Sequence, residues 1–321
     1  MTYLAGVDLG GTNIVCGLLD DQYRLLRTLK KPTEAAKGSD HVLATIAGMV
    51  RELEELEGLP KGAVKAVGAG IPGLIDPIKG VCQFAGNLNW HQLPVSEQLS
   101  AMLGVPVFID NDVRMYILGE AARGAGQDYP VVFGLTLGTG VAAALIEKGQ
   151  LYYGGTHMAG EFGHIILDGE TGQCGCGMTG CLETVASATG LAKAARRKAE
   201  SGEPTLLREL TDDPSQLTAA HLSQAYDQGD AAAIAIMHHA GKQLGKALSY
   251  AVTLLNPNVI VIGGGAANAG ERLFAPMREE LQRLLLPMYW DNVTIKTAEL
   301  LDDAGVIGSA VNASRRAGLD S

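Results

Sequence analysis

Residues 3–19, YLAGVDLGGTNIVCGLL, and residues 131–147, VVFGLTLGTGVAAALIE, read as two versions of one element. In the first, a buried strand ends in Val7-Asp8-Leu9-Gly10, turns at Gly10-Gly11-Thr12 and continues into a second apolar strand. In the second, Leu135-Thr136-Leu137-Gly138 leads through Thr139-Gly140 into another apolar strand, 128 residues further along the chain. The repeat predicts a duplicated domain with one Gly-Thr hairpin on each side of a cleft. Gly10 and Gly11 let a ligand approach the backbone closely, and Thr12 adds a hydroxyl. No helix follows directly, so the turn is neither a Rossmann nor a Walker loop. A plain Gly-Gly hairpin turn reads the same way when taken alone. The second hairpin favours the phosphate reading, because two such turns facing each other suit the phosphates of one nucleotide.

Outward from the first hairpin, Tyr23–Leu29 reads as a third strand and Asp40–Leu56 as an amphipathic helix. Residues 64–70, VKAVGAG, form the next strand, which turns at Ile71-Pro72-Gly73. The loop Gly86-Asn87-Leu88-Asn89-Trp90 offers amides for hydroxyls and a ring for a C–H face, which suits a carbohydrate, although Asn and Gly also simply make turns. Val105–Ile109 is a strand, and Asp110-Asn111-Asp112 stands at its C-terminal end before a helix. Ligands bind at that position in open α/β sheets. One of the three residues must cap the helix, and Asp112 is the general-base candidate. Further on, Thr184–Ser201 and Ala231–Leu255 read as helices. The strand Val259–Ile262 delivers Gly263-Gly264-Gly265, where a base or ribose can lie against bare backbone.

The stretch 161–183, EFGHIILDGETGQCGCGMTGCLE, holds Cys174, Cys176 and Cys181 in a C-x-C-x4-C spacing, with His164 ten residues before the first cysteine. Three thiolates and an imidazole make a common four-coordinate zinc set, and four protein ligands leave no open position, so the zinc is expected to be structural. A cysteine-rich loop that is disulfide-bonded or simply reduced is the plainer reading. Cysteines one residue apart are poorly placed to bridge each other, and no signal peptide points to an oxidising compartment. Glu161, His164 and Glu183 bracket the site, where a fixed loop can hold them toward a polyhydroxyl ligand.

The chain has 321 residues, 47% hydrophobic and 19% charged, with a net charge of −10. This composition predicts a soluble protein of about two domains. The charge disfavours nucleic acid as a partner, and no apolar run reaches membrane length. Five cysteines, three of them clustered, suit a reducing cytoplasm.

Together the motifs resemble those of the ROK sugar kinases, and among these the chain looks most like the bacterial glucokinases. The resemblance spans essentially the whole chain through DLGGT (8–12), IPG (71–73), GNLNW (86–90), DND (110–112), LGTG (137–140), EFGH (161–164), CGCGMTGCLE (174–183) and IGGG (262–265). It implies an α/β, two-lobed, ribonuclease-H-like fold of the actin and hexokinase type, duplicated, with an interlobe cleft. The expected division is 1–121 as the N-terminal lobe and 122–303 as the C-terminal lobe with the zinc loop 164–181. The last helix, about 304–321, is expected to pack back on the first lobe.

The resemblance also implies roles. Asp112 is the base that takes the proton from the 6-hydroxyl of glucose. Gly73, Asn87, Asn111, Asp112, Glu161, His164 and Glu183 match sugar-binding positions, and His164 offers one nitrogen to zinc and the other to the sugar. Asp8 stands near Mg²⁺. Gly10, Gly11, Thr12, Gly138 and Thr139 match the phosphate turns of ATP, and Gly264 and Gly265 the adenosine side. The implied partners are a small sugar and ATP, and the implied assembly is a homodimer. N-acetylmannosamine, N-acetylglucosamine, fructose and allose are alternative acceptors. A regulator of the same family would carry an N-terminal DNA-binding extension, whereas a strand begins by Tyr3. A non-catalytic sugar-binding protein is the remaining alternative. Two stretches depart from the family pattern: Val113-Arg114-Met115-Tyr116 after the Asn-Asp pair, and Val141-Ala142-Ala143-Ala144, whose Cβ atoms are expected to narrow the space beside the phosphates.

Overall fold

Strand order repeats along the chain. In the computed structural model, which describes residues 2–319, the first large sheet is built from β1 (Tyr3–Leu9), β2 (Asn13–Leu19), β3 (Leu25–Pro32), β4 (Val64–Ile71) and, after a small antiparallel sheet of β5 (Leu74–Asp76), β6 (Val81–Ala85) and β7 (Trp90–Leu93), β8 (Val107–Asn111). Its order is β3-β2-β1-β4-β8. The second uses β9 (Val131–Leu137), β10 (Val141–Glu147), β11 (Gln150–Leu151), β12 (Val259–Gly263) and β13 (Thr294–Thr297) in the order β11-β10-β9-β12-β13. Each therefore runs third, second, first, fourth, fifth. In the first, β1 pairs antiparallel with β2 and parallel with β4, and β4 pairs parallel with β8. In the second, β12 pairs parallel with both β9 and β13. This is the duplicated, two-lobed actin and hexokinase-like fold.

Residue contacts divide the chain into two compact units. The first comprises residues up to Pro130, Ile146–Ala159 and the chain from Ala298 on; the second comprises Val131–Leu145 and Gly160–Thr297. By these contacts the first unit runs through Pro130 and also takes in 146–159.

In the first unit the sheet's apolar faces are covered by α1 (Ser39–Leu56), α2 (Val95–Leu103), α3 (Asp112–Arg123) and the C-terminal helix Ala304–Ala317. The C-terminal helix touches the sheet backbone to backbone. A Cβ on Gly68 of β4 would lie 1.8 Å from the Ser309 carbonyl oxygen, so only glycine admits the helix there. Glu120, fully buried on α3, accepts the amides of Ala125, Glu299 and Leu300, which fixes the returning chain. A buried carboxylate needs such partners. Arg114 and Tyr153 tie 146–159 to the same unit, as described below.

The second unit is built around β12, VIVIG, buried along its whole length, as a central parallel strand should be. Its helices include α4 (Glu183–Ala186), α5 (Ala188–Glu200), α6 (Ala219–Asp227), the 25-residue α7 (Ala231–Leu255) and α8 (Glu271–Leu284). The Asp230 side chain caps α7 by accepting the Ala233 amide, and Asn256 ends it in the left-handed conformation before Pro257.

Two elements differ from the sequence reading. The third strand starts at Leu25, not Tyr23, because the buried Asp20 side chain accepts the amides of Gln22 and Arg24 and holds 20–24 as a turn. The helix expected over 184–201 breaks at Ser187, whose hydroxyl accepts the Gly190 amide and starts a new helix. The break leaves Glu183 on a separate single turn.

Candidate active site

The turn after β1 is closed by the Gly10 amide donating to the Asn13 carbonyl at 2.9 Å, with Gly11 and Thr12 exposed at its tip. Thr33, fully buried just past β3, supports it from behind: its hydroxyl donates to the Gly10 carbonyl at 2.6 Å and its amide to the Thr12 carbonyl at 2.9 Å. Sequence reading passed over Thr33, and its place directly after a strand ending in proline carried no distinct signal. Asn87, exposed on a single 3-10 turn, neighbours this hairpin, since a Cβ on Gly11 would lie 3.5 Å from that of Asn87. Trp90 of the same loop differs from expectation. It is only 3% exposed and packs in the first unit's core, so its ring is not free to stack on a sugar. A cavity of about 550 Å³ includes Asn87, Asn89 and Trp90 but none of Gly73, Asn111 or Asp112.

At the end of β8 the three residues Asp110-Asn111-Asp112 separate by job. Asp110 is fully buried and accepts the Asn111 amide at 2.8 Å, an Arg114 guanidinium N–H at 3.3 Å and the Tyr153 hydroxyl at 2.6 Å. Asn111 is the helix cap, its Oδ1 accepting the Val113 and Arg114 amides, while its Nδ2 donates to the Gly73 carbonyl at 3.2 Å. This bond joins two of the expected sugar-binding positions. Gly73 itself has a φ of 102°, and a Cβ there would meet the Phe84 carbonyl oxygen at 2.2 Å. Asp112, the first helical residue, has its Oδ1 fixed by the Val113 amide at 2.9 Å. Burial raises its carboxyl above the ordinary range, and nearby backbone N–H groups and Asn111 oppose that rise.

Asp8 belongs to the same acidic group. Burial first, then the charges of Asp112 and Asp302, push its carboxyl from 3.8 up to about 6. A raised acid binds more protons folded than unfolded, so its contribution to stability is fully present below about pH 4 and is lost as pH rises through about 6. Asp8→Asn is therefore expected to stabilise the metal-free protein at about pH 7.5 by up to about 3 kcal/mol and to flatten the pH dependence of stability between these limits. Urea unfolding of both proteins at about pH 5 and pH 7.5 checks this, and a variant no more stable than wild type at the higher pH contradicts it.

Arg114, one of the departures from the family pattern, is 7% exposed and braces Asp110. Its guanidinium lies over the Tyr153 ring, 5.4 Å from the centroid, and also donates to the carbonyls of His157 and Ala159. Burial and the Asp110 carboxylate raise the Tyr153 phenol, which stays a donor. Arg114→Met would remove the guanidinium paired with the buried Asp110 carboxylate, so a loss of about 3–5 kcal/mol is expected in denaturant unfolding. A loss under about 1 kcal/mol would show that this brace is not structural.

In the second unit the turn after β9 is closed by the Gly138 amide on the Gly140 carbonyl at 2.9 Å, with Thr139 exposed. The Ala188 amide at the start of α5 donates to the Gly138 carbonyl at 2.9 Å. Glu183 accepts the Val141 amide at 3.1 Å, and a Cβ on Gly140 would lie 2.4 Å from its Oε2. Of the four residues expected to narrow the turn, Val141, Ala143 and Ala144 are buried in the unit's interior. The backbone of this strand meets the neighbouring loop: the Ala143 amide donates to the Gly160 carbonyl at 2.8 Å, and Gly160 and Gly163 lie against the β10 backbone. Gly264, with a φ of 87°, lies against the Leu137 backbone, and Gly265 beside it is exposed with open space around it.

The cysteine loop converges as its ligand types suggest. One ligand atom from each of His164, Cys174, Cys176 and Cys181 lies within 4.8 Å of the others. His164 Nδ1 is 3.7 Å from Cys174 Sγ, and Cys176 Sγ is 3.7 Å from Cys181 Sγ. Bond lengths of about 2.3 Å to sulfur and about 2.0 Å to nitrogen set tetrahedral edges of roughly 3.5–3.8 Å, so these separations fit one zinc ion. The other ring nitrogen of His164 is 3.7 Å from Glu161 Oε2, and Cys174 Sγ is 3.5 Å from Glu183 Oε1. Glu161, His164, Cys174 and Glu183 thus form one connected group that ends at the Gly138–Gly140 turn.

A protein-family profile described as ROK family matches residues 4–316. A glucokinase of Thermotoga maritima is 34% identical over 98% of this chain and 98% of its own. A glucokinase of Halalkalibacterium halodurans is 35% identical over 95% of this chain and 93% of its own. A crystal structure of a ROK family glucokinase from Streptomyces griseus, in complex with glucose and AMPPNP, superposes with a TM-score of 0.79 at 31% identity, covering 98% of this chain and 99% of that one.

Proposed function

The chain belongs to the ROK family, and from that premise we propose that it is a glucokinase, transferring the γ-phosphate of ATP to the 6-hydroxyl of glucose. The observation that carries the reading is Asp112, a carboxylate raised by burial at the C-terminal end of β8, in the same unit as an exposed Gly-Gly-Thr turn. Phosphoryl transfer asks a protein mainly for positioning and charge neutralisation. Asp112 accepts the 6-hydroxyl proton as that oxygen attacks phosphorus. Its raised carboxyl makes it a stronger base than an exposed aspartate, provided the pH keeps it ionised. Gly10, Gly11 and Thr12 in the first unit and Gly138 and Thr139 in the second offer the backbone and hydroxyl groups that bind phosphate oxygens. Gly264 and Gly265 leave room for the adenosine.

Sugar recognition draws on Gly73, Asn87 and Asn111 in the first unit and Glu161, His164 and Glu183 in the second. Such groups favour the sugar whose hydroxyls satisfy all of them, because any left buried and unpaired is costly. Asp8 is the residue that would hold Mg²⁺; burial raises its carboxyl first and the charges of Asp112 and Asp302 second, and a divalent cation would relieve that second part. When bound, Mg²⁺ neutralises phosphate charge. His164, Cys174, Cys176 and Cys181 would hold a structural zinc, which fixes the loop and orients His164. Among the described residues no helix is long and apolar enough to cross a membrane. The proposed assembly is a homodimer, which light scattering tests.

Phosphorus and carbon NMR of the product made from glucose and Mg-ATP tests the proposed chemistry. Phosphate on carbon 6 is expected; phosphate on carbon 1, or ATP hydrolysis without sugar product, overturns the reading.

A further inference from the structure

Thr33 makes two bonds to the first Gly-Thr turn, and each acts on a different peptide plane. The residue is fully buried where the chain leaves β3. Its hydroxyl donates to the Gly10 carbonyl at 2.6 Å, and its amide donates to the Thr12 carbonyl at 2.9 Å. A threonine hydroxyl has one proton to give, so this one is committed to Gly10. Gly11 and Thr12 are exposed, and none of the described residues accepts the Gly11 amide.

A trans peptide is planar, and its N–H points opposite to its C=O. The Gly10 carbonyl is turned inward to Thr33, so the Gly11 N–H of the same plane is turned outward. Gly10 and Gly11 have no Cβ, and the freedom that lets a phosphate come close also lets the peptide between them rotate. A rotated peptide would present the Gly10 carbonyl oxygen to a phosphate in place of the Gly11 N–H, setting two acceptors against each other. It would also leave the buried Thr33 hydroxyl without an acceptor, which is costly. The second turn has the same arrangement at the matching glycine, where the Gly138 carbonyl accepts the Ala188 amide at 2.9 Å. There the pin is a backbone amide; in the first turn it is a side chain.

We infer that Thr33 is a positioning residue for the nucleotide: its hydroxyl locks the Gly10–Gly11 peptide with the N–H facing outward, where a nucleotide phosphate binds. Thr33 acts through the turn and does not itself touch ATP. This role rests on the kinase reading.

Mg-AMPPNP titrated by calorimetry into the full chain tests this. Thr33→Val exchanges the hydroxyl for a methyl and keeps the backbone amide on Thr12, whereas Thr33→Ser keeps the hydroxyl and drops the methyl. Thr33→Val should bind AMPPNP about tenfold more weakly, the worth of one hydrogen bond to a charged group. Thr33→Ser should stay within about threefold of wild type. In steady-state kinetics Thr33→Val should raise the KM for Mg-ATP by the same factor and change the KM for glucose by less than about threefold. A role in packing alone would make the two variants equally weak or Thr33→Ser the weaker, and would not divide the two KM values. Where Thr33→Val does not fold, Thr33→Ser and Thr33→Ala differ by the hydroxyl alone and give the same comparison. AMPPNP affinity that Thr33→Val retains, or an equal loss in both variants, overturns this role and leaves the kinase reading standing. Wild-type protein that binds no AMPPNP overturns both.

Discussion

Asp112→Asn is expected to lower kcat by about 10²–10⁴-fold, the usual worth of a positioned general base, while the KM for glucose changes by less than about threefold. The isosteric amide can still accept the Val113 amide that fixes Oδ1, so the start of α3 should survive. What the variant loses is the ability to take a proton. Glucose binding measured by calorimetry with AMPPNP present separates the two roles. If kcat and glucose affinity fall together, Asp112 is holding the site rather than working as the base. The wild-type pH profile carries the same information. Burial raises the Asp112 carboxyl, so kcat/KM should fall as pH drops through a value above that of an ordinary aspartate, and Asp112→Asn should remove that limb.

The second large effect is expected at the metal loop. Cys176→Ser removes an exposed ligand whose side chain supports little packing, so its consequences come through the metal. Metal content should fall from about one zinc per chain toward zero, and the KM for glucose should rise about 10–100-fold, the range seen when groups that orient a metal ligand are lost. His164 accounts for the coupling. With Nδ1 toward Cys174 and the other nitrogen toward Glu161, a loosened loop loses the ring orientation that a sugar hydroxyl would need. Glu183, between Cys174 and the Val141 amide, would be disturbed with it. A variant that loses zinc but keeps wild-type KM would separate the loop from sugar recognition.

Much of this arrangement was legible in the sequence because it is written in local chemistry. Gly-Thr turns between apolar strands, three cysteines with a histidine, and an acid at the end of a strand are readable without a partner in space, and both halves of the repeat reappear as sheets of one order. The unread parts depend on distant partners. Nothing local marks Arg114 as a brace, since its role comes from Tyr153 and the carbonyls at 157 and 159, some forty residues on. Trp90 looked like a sugar-stacking ring because its loop is polar, but the small sheet β5-β6-β7 turns it into the core. The alanines at 143 and 144 looked like obstructions beside a phosphate turn. Their faces were set by strand register, which the turn residues alone do not reveal. Ser187 broke an expected helix because its hydroxyl competes for the backbone, a preference that helical periodicity does not register.

The most direct test is a coupled ADP-release assay on purified, zinc-loaded protein with Mg-ATP and a panel of hexoses and N-acetylhexosamines. The account predicts turnover with the highest kcat/KM for glucose and none without sugar. Turnover dominated by N-acetylglucosamine, N-acetylmannosamine, fructose or allose would contradict the substrate assignment. No turnover with any of them would contradict the kinase itself.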